Sequence, residues 1–259
     1  MPKLAANLTM LFGEVAFLER FKAAADAGFG AVEYLFPYDY DRDVLRRQLR
    51  DHRLTQVLHN LPGGNWAAGE RGIACLPDRM DEFRTGVDKA IEFATALECG
   101  RVNCLAGIPP PTIPPATARE TFVRNVDYAA SRLKNAGIKL MIEPINTRDV
   151  PGFFLNQTRQ AVDIIEAVGS DNVFIQYDIY HMQIMEGNLA STIESHLRSI
   201  GHMQLADVPG RHEPGTGEID YPTLFDLIDR VGYTGWIGCE YVPLAGTVEG
   251  LKWAKAYLA

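Results

Sequence analysis

The sequence has few of the features that mark secreted or membrane proteins. It has only 4 cysteines in 259 residues and no C-x-x-C pair, which suits reduced, packed thiols better than a disulfide framework. No apolar run is long enough to cross a bilayer. The segment Met1-Pro2-Lys3 leads directly into a strand-like stretch, so we expect no signal peptide and a cytoplasmic location.

Clustered positive charge is missing as well. The formal net charge is -8, from 25 Lys and Arg against 33 Asp and Glu. A protein that binds duplex nucleic acid would have to neutralise rows of phosphates with grouped basic side chains. The sequence therefore favours a small metabolite as partner, with no nucleic acid and no membrane, and it leaves a homo-oligomer open.

A third absence is the glycine-rich phosphate loop. Short apolar runs alternate eight times with helix-like stretches, and several of these runs, such as 139–143, end on a carboxylate. An open doubly wound sheet would give a similar string, but most dinucleotide-binding sheets carry G-x-G-x-x-G after the first strand. The pattern therefore predicts one α/β domain over residues 1–259, a (β/α)8 TIM barrel.

The pattern also sets expected boundaries. The predicted strands are 4–7, 31–34, 55–59, 101–104, 139–143, 173–178, 202–205 and 236–240. The predicted helices are 14–27, 42–52, 80–97, one ending near Gly137, 158–168, 189–200 with Asn188 as its N-cap, 221–231 and 248–258.

Polar side chains occur at the carboxyl end of each predicted strand: Asn7, Glu33, His59, Asn103, Glu143, Asp178, Gln204 and Glu240. In a barrel these positions form one rim, where active sites lie. Three carboxylates brought close together would raise one another's pKa unless a cation compensated them. Because oxygen ligands suit hard ions, we predict a site for Mg²⁺ or Mn²⁺ formed by the last four residues of that series.

Some rim residues are more simply explained by structure. An acidic residue at a strand end is often a helix cap or part of a salt bridge. We interpret Glu33 as a support of the rim and His59 as a satisfied rim histidine. Trp66 lies in a glycine-rich loop, 62–71, and is either a lid residue or a buried anchor.

Two other side chains follow the predicted acidic centre along the chain. His181 comes three residues after Asp178, and Arg211 stands on a loop stiffened by glycine and proline. The planar fork of an arginine suits a substrate carboxylate or hydroxyl. The alternative for Arg211 is a salt bridge within its loop, to Glu213 or Glu218.

Several motifs together are specific: Glu143-Pro144, Asp178-Ile179-Tyr180-His181 and the segments 5–12, 28–38, 202–219 and 235–241. They resemble the hydroxypyruvate isomerase family of the xylose isomerase-like barrels, and the resemblance covers nearly the whole chain. It implies that Glu143 and Glu240 are the acid and base. It implies that these two, with Asp178 and Gln204, hold the metal, and that His181 and Arg211 contact the substrate.

The implied activity is a metal-dependent interconversion of hydroxypyruvate and tartronate semialdehyde by proton transfer through an enediolate. Isomerases of 2-oxo-tetronates and ketose 3-epimerases share the barrel, and the latter usually carry His where this chain has Gln204. An endonuclease of the apurinic-site type would need a zinc cluster richer in His and a basic face. A non-catalytic sugar-acid-binding protein would be expected to lack one of the paired glutamates, and both are present.

Overall fold

The computed structural model describes residues 1–258. Eight parallel strands close into a barrel in chain order, each paired with the next and the last with the first. The strands are β1 (Lys3–Asn7), β2 (Ala31–Glu33), β3 (Thr55–Asn60), β4 (Arg101–Cys104), β5 (Lys139–Ile142), β6 (Val173–Asp178), β7 (Ile200–Leu205) and β8 (Trp236–Cys239). The predicted (β/α)8 barrel is confirmed.

Helices surround this barrel. In residues 1–258 they are α1 (Arg20–Asp26), α2 (Arg42–Asp51), α3 (Met80–Ala96), α4 (Pro115–Asn135), α5 (Thr158–Val168), α6 (Ile179–Met185), α7 (Leu189–His196), α8 (Tyr221–Arg230) and α9 (Thr247–Gly250). Short 3-10 turns cover Phe17–Glu19, Trp66–Ala68, Pro77–Arg79, Leu197–Ser199 and Leu251–Ala256. None of the helices in this range combines the length and the apolar character needed to span a membrane.

The first predicted helix is too long. Instead of 14–27, a 3-10 turn begins at Phe17 and α1 at Arg20. Glu14 lies outside the helix because its carboxylate accepts hydrogen bonds from the Thr247 backbone N at 2.6 Å and from the Thr247 hydroxyl at 3.1 Å. These contacts, from the far end of the chain, compete successfully with local helix propensity.

Two other predicted helices also change near their ends. The helix predicted for 189–200 stops at His196, because β7 already begins at Ile200. Asn188 does stand at its N-cap position, but in the left-handed conformation and without a side-chain cap bond. The last predicted helix, 248–258, is a single α turn followed by a 3-10 segment.

The inner face of the barrel changes from apolar to polar along the strands. Ala31 and Met141 belong to a small buried apolar cluster that fills the barrel interior. Two residues further along the same segments come Glu33 and Glu143. Because alternate residues of a strand face the same side, this spacing points both carboxylates inward above the apolar layer. The polar end of the barrel is therefore its C-terminal end.

Candidate active site

A cavity of about 130 Å³ lies at the carboxyl ends of the strands. It is lined by five of the predicted site residues: Glu143, His181, Gln204, Arg211 and Glu240. Asp178 is fully buried beside them, with its carboxylate 3.5 Å from His181 Nε2 and 3.6 Å from Arg211 Nη2. The structure therefore brings the whole predicted set together at one end of the barrel.

The centre contains three carboxyl groups in surroundings that disfavour their charge. Burial, together with the charge of Asp178, raises the pKa of Glu143 to about 8. Burial also raises the pKa of Asp178 to about 6 and that of Glu240 well above its usual range, although Arg211 opposes both shifts. Ionising all three groups together is therefore unfavourable unless a cation compensates them.

Asp178 provides a test of whether these residues suit a metal. Its Oδ1 accepts from the Tyr180 backbone N at 2.8 Å and caps α6, a helix that the sequence did not predict. Its Oδ2 is buried and receives no hydrogen bond from the described residues. Ligand atoms of Glu143, Asp178 and His181 lie within 4.8 Å of one another. A buried acceptor that receives no hydrogen bond, next to a second carboxylate, fits a hard divalent cation.

Gln204 is held from two sides. Its Nε2 donates to Glu33 Oε1 at 2.7 Å, and its carbonyl oxygen accepts from Gln176 Nε2 at 2.6 Å. Glu33 also accepts from Asn7 Nδ2 at 3.0 Å and lies 2.7 Å from His202 Nε2. Since an ionised carboxylate can only accept, it draws the amide nitrogen of Gln204 toward itself and leaves the carbonyl oxygen facing away. Glu33 thus supports a rim side chain, as interpreted from the sequence.

Space for the Glu33 carboxylate comes from a glycine on β8. A Cβ atom at Gly238 would overlap with the carboxylate oxygens of Glu33. At this point of the barrel interior β8 has no side chain, and the Glu33 carboxylate fills the volume that a core side chain would normally occupy. The absence of a side chain at Gly238 is therefore part of the support of Gln204.

His181 is neutral, and its hydrogen bonds fix its tautomer. Oδ1 of Asn146 accepts from the backbone N atoms of Arg148 and Asp149, so the amide nitrogen of Asn146 faces the imidazole, 2.7 Å from Nδ1. Nδ1 is then the acceptor, and Nε2 carries the proton. Burial, with the nearby charge of Arg211, holds the pKa of His181 well below its ordinary value. The ring therefore offers an N–H donor at Nε2.

Arg211 is bound to the acidic centre. Its Nη2 lies 3.2 Å from Glu240 Oε1 and 3.6 Å from Asp178 Oδ2, and its Nε donates to the Glu240 carbonyl at 3.4 Å. The alternative of a salt bridge to Glu213 or Glu218 is wrong. Glu213 accepts instead from a backbone N–H, and Glu218 from a glutamine side chain.

Three amide side chains of the site were not given a role from the sequence: Asn60, Asn103 and Gln176. Asn103 donates to Glu143 Oε2 at 2.8 Å and to Asn60 Oδ1 at 3.2 Å. Gln176 precedes Asp178 by two positions on β6, so strand alternation could have identified it. Asn60 was missed because β3 was expected to end one residue earlier.

The structure corrects the predicted position of His59 on the rim. Leu58 and Asn60 line the cavity, whereas His59 does not. Its ring is fully buried 6.0 Å from that of Tyr38, and its Nδ1 lies 3.2 Å from Gln56 Nε2. Burial lowers the pKa of His59 to about 4. It is a buried histidine outside the cavity, and its Nε2 has no hydrogen-bond partner in residues 1–258, so it is only partly satisfied.

A closed parallel barrel with buried carboxylates at its C-terminal end is the architecture of a (β/α)8-barrel enzyme. Comparison with known proteins gives the family. Residues 21–257 match the xylose isomerase-like TIM barrel family. The chain is 52% identical to the hydroxypyruvate isomerase of Escherichia coli (strain K12), with 99% of this chain and 100% of that protein covered. It is 48% identical to the 2-oxo-tetronate isomerase of Cupriavidus necator, with 100% and 99% covered. The chain belongs to the xylose isomerase-like TIM barrel family, in the group of the hydroxypyruvate isomerases, and is an isomerase.

Solved structures are similar over the same extent. A structure from Brucella melitensis, described as an AP endonuclease of family 2, has a TM-score of 0.98 and 49% identity, and the match covers 100% of both chains. An L-ribulose 3-epimerase has a TM-score of 0.77 and 24% identity over 99% of this chain and 86% of its own. At that identity the second likeness concerns the fold alone.

Proposed function

We propose that this isomerase interconverts hydroxypyruvate and tartronate semialdehyde with the help of Mg²⁺ or Mn²⁺. The observation that carries the proposal is the glutamate pair: Glu143 and Glu240 line one small cavity, and burial raises the pKa of both, that of Glu143 to about 8. A carboxyl group whose pKa lies near the working pH can both accept and return a proton. The relatives named hydroxypyruvate isomerase and 2-oxo-tetronate isomerase support this reaction class.

Glu143, Asp178, Gln204 and Glu240 would hold the metal. When bound, a divalent cation stabilises the negative charge that develops on the substrate oxygens as a C–H proton leaves. Asp178 suits this role because its buried Oδ2 accepts no hydrogen bond from the described residues. For Gln204, the hydrogen bond to Glu33 leaves the carbonyl oxygen, an acceptor with two lone pairs, on the side away from Glu33.

The two glutamates perform the proton transfers. The ionised glutamate removes a proton from C3 of hydroxypyruvate, and the protonated one delivers a proton to C2, while the hydroxyl proton passes from the C3 oxygen to the C2 oxygen. A proton then returns from the first glutamate to the second through water, which restores the starting state. No atom is gained or lost, and the intermediate is an enediolate. Asn103, which donates to Glu143 Oε2, leaves the other carboxylate oxygen of Glu143 available as the base.

His181 and Arg211 provide donors for substrate oxygens. The Nε2–H of His181 is fixed by Asn146 and does not depend on protonation of the ring. Arg211 brings a permanent positive charge to the edge of the carboxylate cluster. Together they would orient the substrate and oppose the charge that forms in the transition state.

Cavity size supports a small acid as substrate. The volume of about 130 Å³ is well below the roughly 300–1,000 Å³ of pockets for drug-sized ligands. A three-carbon acid fits this volume more readily than a hexose. A four-carbon 2-oxo-tetronate is the second candidate, and the 48% identity to an isomerase of that name favours its inclusion in the assay.

An endonuclease function is disfavoured, although the similar Brucella structure bears that description. The residues that would hold the metal are three carboxylates and one amide, with the single imidazole of His181 beside them, rather than a His-rich zinc set. The net charge of -8 opposes binding to a phosphate backbone.

The test is an isomerisation assay on metal-stripped protein with Mg²⁺ or Mn²⁺ restored, using hydroxypyruvate, 2-oxo-tetronates, fructose and tagatose. We expect the highest kcat/KM on hydroxypyruvate. A duplex with one abasic site serves as the competing substrate. Turnover of a ketose in preference to the acids, or cleavage of the duplex, would contradict the proposal.

A further inference from the structure

Arg71 lines the same cavity as the glutamate pair, in the loop between β3 and α3 to which the proposed reaction gives no role. We propose, on the basis of the proposed function, that Arg71 stacked on Trp66 binds the carboxylate of the substrate. The two residues form an anion subsite at the wall of the cavity. Arg211 then remains paired with the carboxylates of Asp178 and Glu240.

Part of the Arg71 guanidinium makes no hydrogen bond within the described residues. Its Nη1 donates to the carbonyl oxygens of Glu70 at 2.8 Å and of Trp66 at 3.3 Å. Its Nε and Nη2 make no hydrogen bond to residues 1–258, and no carboxylate in that range forms a salt bridge with it. Nε and Nη2 are one edge of the planar fork, the edge that takes a carboxylate through two parallel hydrogen bonds.

The neighbouring acid is unable to neutralise Arg71. The carboxylate of Glu70 is 2.8 Å from Arg79 Nη1 and also accepts from the Asn65 backbone N. The hydrogen bonds from Arg79 and Asn65 lower the pKa of Glu70. Glu70 is thus turned toward Arg79, on the other side of the loop, and the positive charge of Arg71 remains without a protein partner.

Packing holds Arg71 in place. Its guanidinium lies 4.2 Å from the centre of the Trp66 ring, and this ring contacts Phe36 with centroids 5.0 Å apart. The next residue, Gly72, has φ 106°, and a Cβ there would overlap with the backbone carbonyl of Leu105. The loop therefore approaches the segment after β4 closely at the point that presents Arg71, and cation–π stacking keeps the fork in its plane.

Arg211 is less suited to this task. Its charge is shared between Glu240 at 3.2 Å and Asp178 at 3.6 Å. A substrate carboxylate at Arg211 would compete with both groups and would add a negative charge to the cluster. Arg71 offers the same chemistry without that competition, so an acid substrate is oriented with its carboxylate toward the loop and its reacting carbons toward the glutamates.

The experiment measures binding in a Glu143→Gln background, which slows turnover and leaves both arginines intact. Calorimetry with Mn²⁺ present compares hydroxypyruvate with dihydroxyacetone, in which a CH₂OH group replaces the carboxylate. Arg71→Met should raise the Kd of hydroxypyruvate about 10- to 100-fold, the effect of losing a charge-assisted pair, with little change for dihydroxyacetone. Arg71→Gln, which keeps a donor for the Trp66 carbonyl, should do the same. Arg71→Lys should restore part of the difference, because it keeps the charge without the fork.

Arg124→Met is the matched control, since Arg124 is an exposed arginine on α4 and does not line the cavity. It should leave both Kd values unchanged. If Arg71→Met and Arg71→Gln weaken the two ligands equally, or if Arg211→Met alone removes the preference for the acid, the subsite is wrong. Wild-type protein that isomerises hydroxypyruvate while both Arg71 variants bind it normally would overturn the subsite alone. Wild-type protein that neither binds nor isomerises it would overturn the proposed function.

Discussion

Two buried carboxylates in the same barrel, those of Glu33 and Asp178, differ in how their oxygens are satisfied. Both oxygens of Glu33 have partners, from Asn7 and Gln204 on one and His202 on the other. One oxygen of Asp178 accepts from a backbone N–H, whereas the other accepts no hydrogen bond from the described residues, with His181 Nε2 and Arg211 Nη2 at 3.5 and 3.6 Å. Burial is equal, so burial alone does not identify a reactive centre. The position of the unsatisfied atom decides: Asp178 Oδ2 lies beside a second carboxylate, where a cation can supply the missing interaction, whereas the unsatisfied Nε2 of His59 lies outside the cavity.

Removal of the metal should have the largest effect and should affect only one of the two regions. After exhaustive chelation we expect isomerase activity to disappear and to return with Mg²⁺ or Mn²⁺, since the oxygen donors suit hard ions. Circular dichroism should be unchanged, because the cluster around Glu33 is complete without a cation. Full turnover in protein with no metal detectable by elemental analysis would rule out a metal role.

Substitution of the glutamates tests the reactive side directly. Glu240→Gln and Glu143→Gln should each lower kcat about 10²- to 10⁴-fold, because each loses a positioned acid or base. The double variant should be little worse than either single one, since the pair acts as a unit. In D₂O the product carbon should take up deuterium. Product without deuterium, combined with normal turnover of Glu240→Gln, would leave these residues as metal ligands only.

On the side of Glu33, substitution should reduce stability. Glu33→Gln places an amide where three donors converge, so we expect a loss of about 3 kcal/mol in the free energy of unfolding of metal-free protein. Urea unfolding measures this loss. The exposed Glu194→Gln provides a control and should change it little. An unchanged unfolding midpoint for Glu33→Gln would show that the hydrogen bonds of Glu33 contribute nothing.

Substitution of Asp178 should raise the free energy of unfolding instead of lowering it, and the change should be smaller than at Glu33. Burial raises the pKa of Asp178 to about 6 from an ordinary value of 3.8. The stability that the protonated carboxyl contributes is therefore fully present below pH 3.8 and is lost as the pH rises through 6. Asp178→Asn should therefore stabilise metal-free protein by about 1 to 2 kcal/mol at pH 8, with a smaller gain at pH 5. Asn retains the cap of α6. A variant less stable than wild type at pH 8 would contradict this account.

The sequence alone predicts where the strands end, and with those ends it predicts most residues of the acidic centre. Glu143, Asp178, Gln204 and Glu240 follow apolar runs, so the barrel geometry alone predicts that they meet. Local patterns did not indicate partners distant in the chain, such as His202 for Glu33, 169 positions apart. The short helix α6 escaped detection because its start depends on Asp178 acting both as strand end and as cap.

The two arginines show a further limit of pattern reading. Arg211 stands between glycine and proline residues that stiffen its loop, and this setting beside the acidic strand ends predicts a substrate contact. Arg71 stands in a loop without strand or helix periodicity. Their difference lies in their partners: Arg211 faces two carboxylates, and Glu70 is diverted from Arg71 by Arg79. These pairings depend on tertiary contacts, which residue spacing does not encode.

Because β1 pairs with β8, the barrel closes only when its eighth strand is present. Lys3 lies beside Trp236, so one edge of β1 stays unpaired until β8, more than 200 residues later in the sequence, is in place. Exposed strand edges invite pairing with other chains. The bonds from Thr247 to Glu14 and from Phe12 to Thr247 join the two ends of the chain across this seam. The eighth strand and the segment around Thr247 therefore complete the barrel and cover the exposed edge of β1.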